Sequence, residues 1–540
     1  GCSSSGPKMV GAQPSWRDGG GGAPRTTAPG PVTFAPSHEP ASRYNEPAPP
    51  PRHTPLGDAV LAAVREAADQ AHLPAPAVDG RLFRACAELA EIVPEEGVIG
   101  YSFVEFALQR NGIIEPSPHL LVVWGPVDAP QPIVEQLKPR LAELLADSGT
   151  ARVGIGAAAR KPDGTGAIVF ALQSSGVATT PIPRSLPASG SVTLDAVVDG
   201  RFRDPEVFVT HDDGATQRLA LGPGRPGGFT AQLACAGHKG RQQVEIAASD
   251  AAGSTVLANF PLWCGVAPPA SVTIEPGDDD APVVSPDKAE RAMLDAVNRD
   301  RAAAGLGKLD WDDRLAAVAR AHSAEMQRTH VVAHISPTTG SAADRIKAAH
   351  IKTGMVLENV ARAYGVREAH QGLMNSPGHR ANLMSPVANR IGIGVVLGDE
   401  VSGRREMFVT QVLTRTPPKV DRGKTVEAVR KKIAAVRPKL VAKADLAGLA
   451  QQLADALAGG ATREAAYQQI KPRLDALNRT YKRVASVITA SADIDGLDGA
   501  SLLGDTAADD VGIAIAQGPH PELGDNAVWV VLLLASERKP

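Results

Sequence analysis

Residues 309–326 read LDWDDRLAAVARAHSAEM and residues 373–386 read LMNSPGHRANLMSP, and these two stretches decide how the middle of the chain folds. In the first, Leu315, Val318, Ala319, His322 and Met326 recur at helical spacing, so one face packs inward and carries His322 as a core histidine. The helix before it, KAERAMLDAVNRDRAAAGLG, runs to Gly305, a natural C-terminal stop. In the second stretch Ser376 is a good N-cap and Pro377 a good first helical residue, which puts His379 in the first turn of a short helix. The positive end of that helix disfavours imidazolium, so His379 is expected to be neutral. A neutral ring binds a divalent metal or accepts a proton.

Around these stretches lie AHISPTTGSAADRI (333–346), LENVARAY (357–364), IGIGVVL (391–397) and MFVTQVL (407–413). In this order the motifs of residues 287–415 resemble the CAP superfamily (cysteine-rich secretory proteins, antigen 5 and pathogenesis-related proteins), in its bacterial extracellular SCP-like branch. The resemblance implies an α-β-α sandwich with a cleft lined by His334, Glu358 and His379, with Asn359 and Asn382 fixing the loops around it. Read physically, two neutral imidazoles beside one carboxylate allow three further roles: Glu358, His379 and His334 as catalytic groups, His334 and His379 as ligands for an ion such as Zn²⁺, and His334, Glu358, His379 and Asn359 as ligand contacts. The family's name-giving cysteines are absent, and where eukaryotic members place a further His before a late-strand Thr-Gln pair this chain has Phe408 or a neighbour. Structural alternatives stand beside each role: hydrogen-bonded scaffolding for the two histidines, and capping for Glu358.

At 540 residues the chain is too long for one core, since single cores stop growing near roughly 250 residues. The whole is therefore expected to be multidomain α+β. With 56 Lys plus Arg against 59 Asp plus Glu there is no basic field to hold nucleic acid. The longest apolar run, Val528 to Ala535, is far short of the roughly 18 residues that span a bilayer.

Residues 1–55 begin Gly-Cys-Ser-Ser-Ser-Gly and are crowded with Pro, Gly, Ser and Thr. They read as a disordered lipoprotein-type tether, with Cys2 lipidated after removal of a signal peptide, and a cloning scar as the alternative. Partners are then membrane lipid through the acyl anchor and a small-molecule, lipid or glycan ligand. The location is the bacterial cell envelope, outside the cytoplasm.

Residues 56–180 are expected to form an α/β unit, with Cys86 on an apolar helix face as a buried thiol. Residues 188–267 alternate strictly, as in Phe229, Ala231, Leu233 and Cys235 and again in Val256, Ala258, Phe260, Leu262 and Cys264, which predicts an immunoglobulin-like β-sandwich. Cys235 and Cys264 pair there in an exported protein, or remain two buried thiols. A Pro/Asp-rich linker covers 268–286, and residues 420–540 are helical and then a hairpin.

The segments VGIGAAARKPDGTGAIVFALQ (from Val153), IGIGVVLGDEVSGRREMFVTQVL (from Ile391) and VGIAIAQGPHPELGDNAVWVVLLLA (from Val511) share a Gly-punctuated strand, a turn and an apolar return strand. The two flanking units thus read as degenerate CAP-like folds, or as chance likenesses of hairpins. Three functions are compatible with all this: a ligand-binding envelope protein, a metal-assisted hydrolase with Glu358 as base, or a structural or adhesive protein with a vestigial cleft.

Overall fold

The computed structural model describes residues 2–4, 9–11, 31–95, 99–116, 118–147, 151–274, 283, 285–401, 404–417, 419–491, 494, 497–504, 507–521 and 523–537. One arrangement occurs three times. The first unit contains α1 (Pro55–Gln70), β1 (Ala77–Val78), α2 (Gly80–Ile92), α3 (Tyr101–Arg110), β2 (His119–Pro126), α4 (Pro130–Asp147), β3 (Ala151–Ala159) and β4 (Thr165–Ser174). Its strands lie in the order β2-β4-β3-β1, antiparallel except for the parallel β1–β3 pair. Alternate strand residues face opposite ways, so Ala167, Val169 and Ala171 meet α2 and α3 while Ile168, Phe170 and Leu172 meet α1 and α4. The outcome is a three-layer α-β-α stack.

A β-rich unit follows, with β5 (Val177–Thr179), β6 (Ser191–Val198), β7 (Arg203–Thr210), β8 (Gly228–Ala234), β9 (Gly240–Asp250) and β10 (Gly253–Cys264). One sheet carries β5, β6 and β8 and the other β7, β9 and β10. The inward residues of both, among them Leu194, Phe229, Val244, Ile246 and Phe260, form one core. Cys235 and Cys264 are bonded in that core, their Cα atoms 5.6 Å apart.

The central unit repeats the first: α5 (Pro286–Ala303), β11 (Asp310–Trp311), α6 (Asp313–Thr329), α7 (Ala342–Ala348), β12 (Val356–Ala363), α8 (Val366–Asn375), α9 (Pro377–Leu383), β13 (Arg390–Val401) and β14 (Arg404–Thr414). The strand order is β12-β14-β13-β11, again with only the two-residue strand parallel. The last unit has α10 (Arg422–Val436), β15 (Val441–Ala442), α11 (Ala444–Ala458), α12 (Arg463–Leu477), β16 (Tyr481–Ser491), α13 (Gly499–Leu503), β17 (Asp510–His520) and β18 (Gly524–Glu537), in the order β16-β18-β17-β15.

The shared Gly-punctuated strand has a packing cause. A Cβ on Gly392 would sit 2.1 Å from the Ala316 nitrogen of α6, one on Gly154 2.6 Å from the Leu82 carbonyl carbon of α2, and one on Gly512 2.2 Å from the Leu446 carbonyl carbon of α11. In each unit a helix backbone lies directly on the strand, and only a residue without a side chain admits it.

The expected tether is interrupted. Val32–Phe34 pairs antiparallel with Val272–Ile274, Arg43–Tyr44 pairs with Ile182–Pro183, and the rings of Phe34 and Tyr44 are fully buried. Two aromatic side chains in an otherwise polar stretch bury enough apolar area to dock it. Backbone pairing also places Cys2–Ser4 between β10 and β12, and Met9–Gly11 beside β2. Other residues of the proposed tether, from 12 to 30, lie outside the described residues, as do 275–282 of the expected linker apart from its end.

Candidate functional site

β12 places Glu358 and Asn359 side by side on the strand of the central sheet nearest the β-rich unit, pointing to opposite faces. Glu358 is 4% exposed and receives two charged or polar donors: Arg345 of α7 donates Nη2–H to Oε2 at 2.5 Å, and His334 Nδ1 lies 2.9 Å from Oε1. Burial alone would push this carboxyl up, but the His334 hydrogen bond and the neighbouring cationic groups hold it below the ordinary glutamate range. Arg345 also donates to the His334 carbonyl and, at 2.6 Å, to that of Gly340. The His334 loop is held further from α6, where Glu325 accepts from the Ser336 hydroxyl at 2.6 Å and from Thr339 at 3.2 Å.

Asn359 donates to the His379 carbonyl at 3.3 Å and accepts from Asn382 at 2.9 Å, while Asn382 also donates to the Glu358 carbonyl. His334, Glu358, Asn359, Asn382 and His379 are thus joined by one chain of hydrogen bonds. His379 sits in the first turn of α9, as its position after Ser-Pro-Gly predicts, and its ring is wholly buried. Burial, followed by the charge that His334 would carry if protonated, depresses its pKa well below the ordinary histidine value.

The start of α9 differs from expectation in one respect. Ser376 occupies the N-cap position, but its side chain makes no cap bond to the helix. The backbone N–H of Gly378 donates instead, at 2.9 Å, to Glu245 Oε1, which reaches across from β9 of the β-rich unit. The Ser376 hydroxyl donates to the other oxygen of Glu245, and its own oxygen lies 2.7 Å from His379 Nδ1. Glu245 is fully buried, and burial raises its pKa to about 7 against the lowering effect of the Ser376 and Gly378 bonds. Sequence reading missed Glu245 because it alternates with the inward-facing Val244 and Ile246, which is where a solvent-facing charge stands in an isolated sandwich. It missed Arg345 too.

The two rings share a pattern. His334 and His379 have each committed Nδ1 to a partner, and in each the other nitrogen, Nε2, is buried without a hydrogen bond. Nδ1–H donation leaves a lone pair on Nε2, the tautomer that ligates a metal or accepts from a ligand. Among the described residues no three His, Cys, Asp or Glu side chains converge into a metal shell. The late-strand position is filled by buried Phe408, whose ring lies 5.5 Å from the Arg362 guanidinium and offers no nitrogen. His322 is buried with Nε2 2.8 Å from the Ala333 carbonyl, and burial lowers its pKa. Cys86 is buried in the first unit, where burial pushes its thiol up and leaves it unreactive.

Residues 294–413 match the model of the cysteine-rich secretory protein family, CAP. Two relatives come from Bacillus subtilis (strain 168). The uncharacterized membrane protein YlbC is 36% identical over 107 residues, 20% of this chain and 31% of that protein. The uncharacterized protein YkwD is 35% identical over 108 residues, 20% of this chain and 42% of that protein. The match thus spans less than half the length of either relative. Among solved structures, an extracellular protein containing an SCP domain from Bacillus anthracis str. Ames is 20% identical with a TM-score of 0.22, covering 37% of this chain and 67% of that one. An outer surface protein from Borrelia burgdorferi is 18% identical, also with a TM-score of 0.22, covering 24% of this chain and 94% of that one.

Proposed function

We propose that this chain, which carries a CAP domain at residues 294–413, is an exported bacterial envelope protein that binds a small, lipidic or envelope-derived ligand at His334 and His379. The observation that carries this reading is the pair of buried Nε2 atoms, each on a ring whose Nδ1 is already committed. A buried polar atom without a partner costs free energy, and a bound group that satisfies both rings at once recovers it. Asn359 and Glu358 hold the surroundings in place rather than meeting the ligand with free atoms.

A divalent ion such as Zn²⁺ fits the tautomers but not a closed shell. His334 and His379 would hold it, and with only two donors it would offer a Lewis-acid position open to water or to a ligand oxygen. The Nδ1–H donation of His334 to Glu358 matches the carboxylate–histidine support seen behind metal ligands. Hydrolysis with Glu358 as the base is the weaker reading, because both its oxygens are engaged and its pKa is lowered.

Calorimetric titration of Zn²⁺ into the full chain at neutral pH tests the two-histidine site. Uptake of about one ion is expected, with affinity at least roughly tenfold weaker in H334A and in H379A and weakening as pH falls through the imidazole range. Equal uptake by the double variant removes the metal and leaves organic ligands, screened by the same two variants.

Export agrees with the Cys235–Cys264 disulfide, which persists in oxidising compartments. No helix among the described residues is long and apolar enough to cross a membrane. Attachment through a lipidated Cys2 completes the reading, and it requires Cys2–Ser4 to leave the place between β10 and β12 that backbone pairing gives it. The protein expressed with its own leader should partition with membranes and C2S should not; an unmodified Cys2 in the mass of the amino-terminal peptide refutes the anchor. The flanking units, with the central unit's strand order but no carboxylate on β2 or β16, are read as degenerate copies that keep the scaffold alone.

A further inference from the structure

We propose that the β-rich unit completes the site, with Glu245 acting through Ser376 as the positioning residue that fixes the His379 tautomer and leaves its Nε2 lone pair bare. The inference rests on the two-histidine reading above for its purpose, but on separate geometry for its mechanism.

The direction of the hydrogen bonds follows from the donors available. Once ionised, above about pH 7, Glu245 only accepts, so the Ser376 hydroxyl gives its proton to Glu245 and cannot give it to His379. The serine oxygen, 2.7 Å from Nδ1, is left to accept. His379 must therefore carry its proton on Nδ1, and Nε2 is bare. The second oxygen of Glu245 is tied to the Gly378 amide, so the carboxylate cannot turn away. All members of this relay are buried, and no bulk water is at hand to reverse it.

The order also excludes a nucleophilic serine. In a hydrolytic triad the imidazole takes the serine proton and the carboxylate supports the far side of the ring. Here the carboxylate is on the serine and the far side of the ring is free, so Ser376 is a relay.

The other histidine depends on the same unit. The turn between β9 and β10 places the Ala252 carbonyl 3.1 Å from the His334 amide and 3.0 Å from that of Ile335. Gly253, at φ +109, lets the turn approach until a Cβ there would be 2.9 Å from the His334 Cβ. Asn259 and the carbonyl of Asn375, 3.2 Å apart, close the junction beside α9.

The test is the ring tautomer of His379 in the full chain, read by nitrogen NMR of ¹⁵N-histidine protein at about pH 8, where Glu245 is ionised. Wild type should show Nδ1 protonated and Nε2 bare. E245Q keeps the shape but places an amide donor against Ser376, whose proton then turns to Nδ1, so the tautomer should reverse while circular dichroism stays as in wild type and the thermal transition does not fall. Zn²⁺ affinity should fall by about tenfold or more with it. Nε2–H in wild type overturns the proposal without any variant, and an unchanged tautomer in E245Q overturns it as well. If the tautomer reverses in E245Q but wild type takes up neither metal nor ligand, the positioning role stands and the two-histidine function falls.

Discussion

The buried pair of titratable groups on either side of Ser376 gives opposite pH signatures. His379 has a folded pKa well below its ordinary value, so above about pH 6.5 it is neutral folded or unfolded. Below that the unfolded chain takes a proton that the folded one refuses, and stability falls by about 1.4 kcal/mol per pH unit until the folded pKa is reached. Glu245 has its pKa raised from 4.5 to about 7. Its contribution is complete below about pH 4.5 and is lost as pH rises through about 7, so over the intervening range it opposes the histidine. Replacing His379 by Gln removes one arm. As pH falls from about 6.5 the stability of H379Q relative to wild type should rise in urea unfolding, and a difference that does not change with pH refutes the buried neutral ring. At this scale the sequence shows His334, Glu358 and His379 through their motifs, and it shows that His379 opens a helix. It does not show Glu245, because a carboxylate on the outer face of a sandwich strand is an ordinary surface residue until another unit covers it.

Elements were legible where one face differs from the other. α6 repeats apolar residues every third or fourth position, and β10 alternates, so both stand out. α3 did not, since Phe103, Val104, Phe106, Ala107 and Leu108 are all buried and only the narrow stripe of Ser102, Glu105 and Gln109 is left to set the period over ten residues. The docked pieces at Phe34 and Tyr44 were missed for the opposite reason: single aromatic anchors have no period at all. The glycine strands were visible as a repeat, and their cause is the helix seated on them. Gly392→Ala should therefore overpack α6 against β13 and lower stability by about 2–3 kcal/mol. Gly372, inside α8 with nothing within 4 Å of a built Cβ, makes the contrast, and Gly372→Ala should raise stability by about 0.5–1 kcal/mol. Thermal unfolding of the two variants checks both signs, and an unharmed G392A would mean that the helix can lift off its strand at little cost.

Among the described residues, three units share a strand order, and the middle one carries His334, Glu358 and His379 with the β-rich unit pressed onto its histidine loops. Arg380 of α9 donates to the Gly214 carbonyl at 3.3 Å, Glu245 holds the α9 start, and the Ala252 carbonyl holds His334 and Ile335. The site is thus framed by the junction of two units, which an isolated reading of residues 287–415 does not contain. Gly253 is the test of that dependence. At φ +109 a branched side chain is strained, and its Cβ would meet that of His334 at 2.9 Å, so Gly253→Val should force the turn away from the loop. The amides of His334 and Ile335 then lose their acceptor, and their hydrogen exchange should quicken by about tenfold or more. The amides of α11, in the last unit and remote from the junction, should exchange as in wild type, and the Cys235–Cys264 bond should remain. Unchanged protection at His334 would mean that the central unit holds its own loop through Arg345 and Glu325, and that the β-rich unit only rests against it.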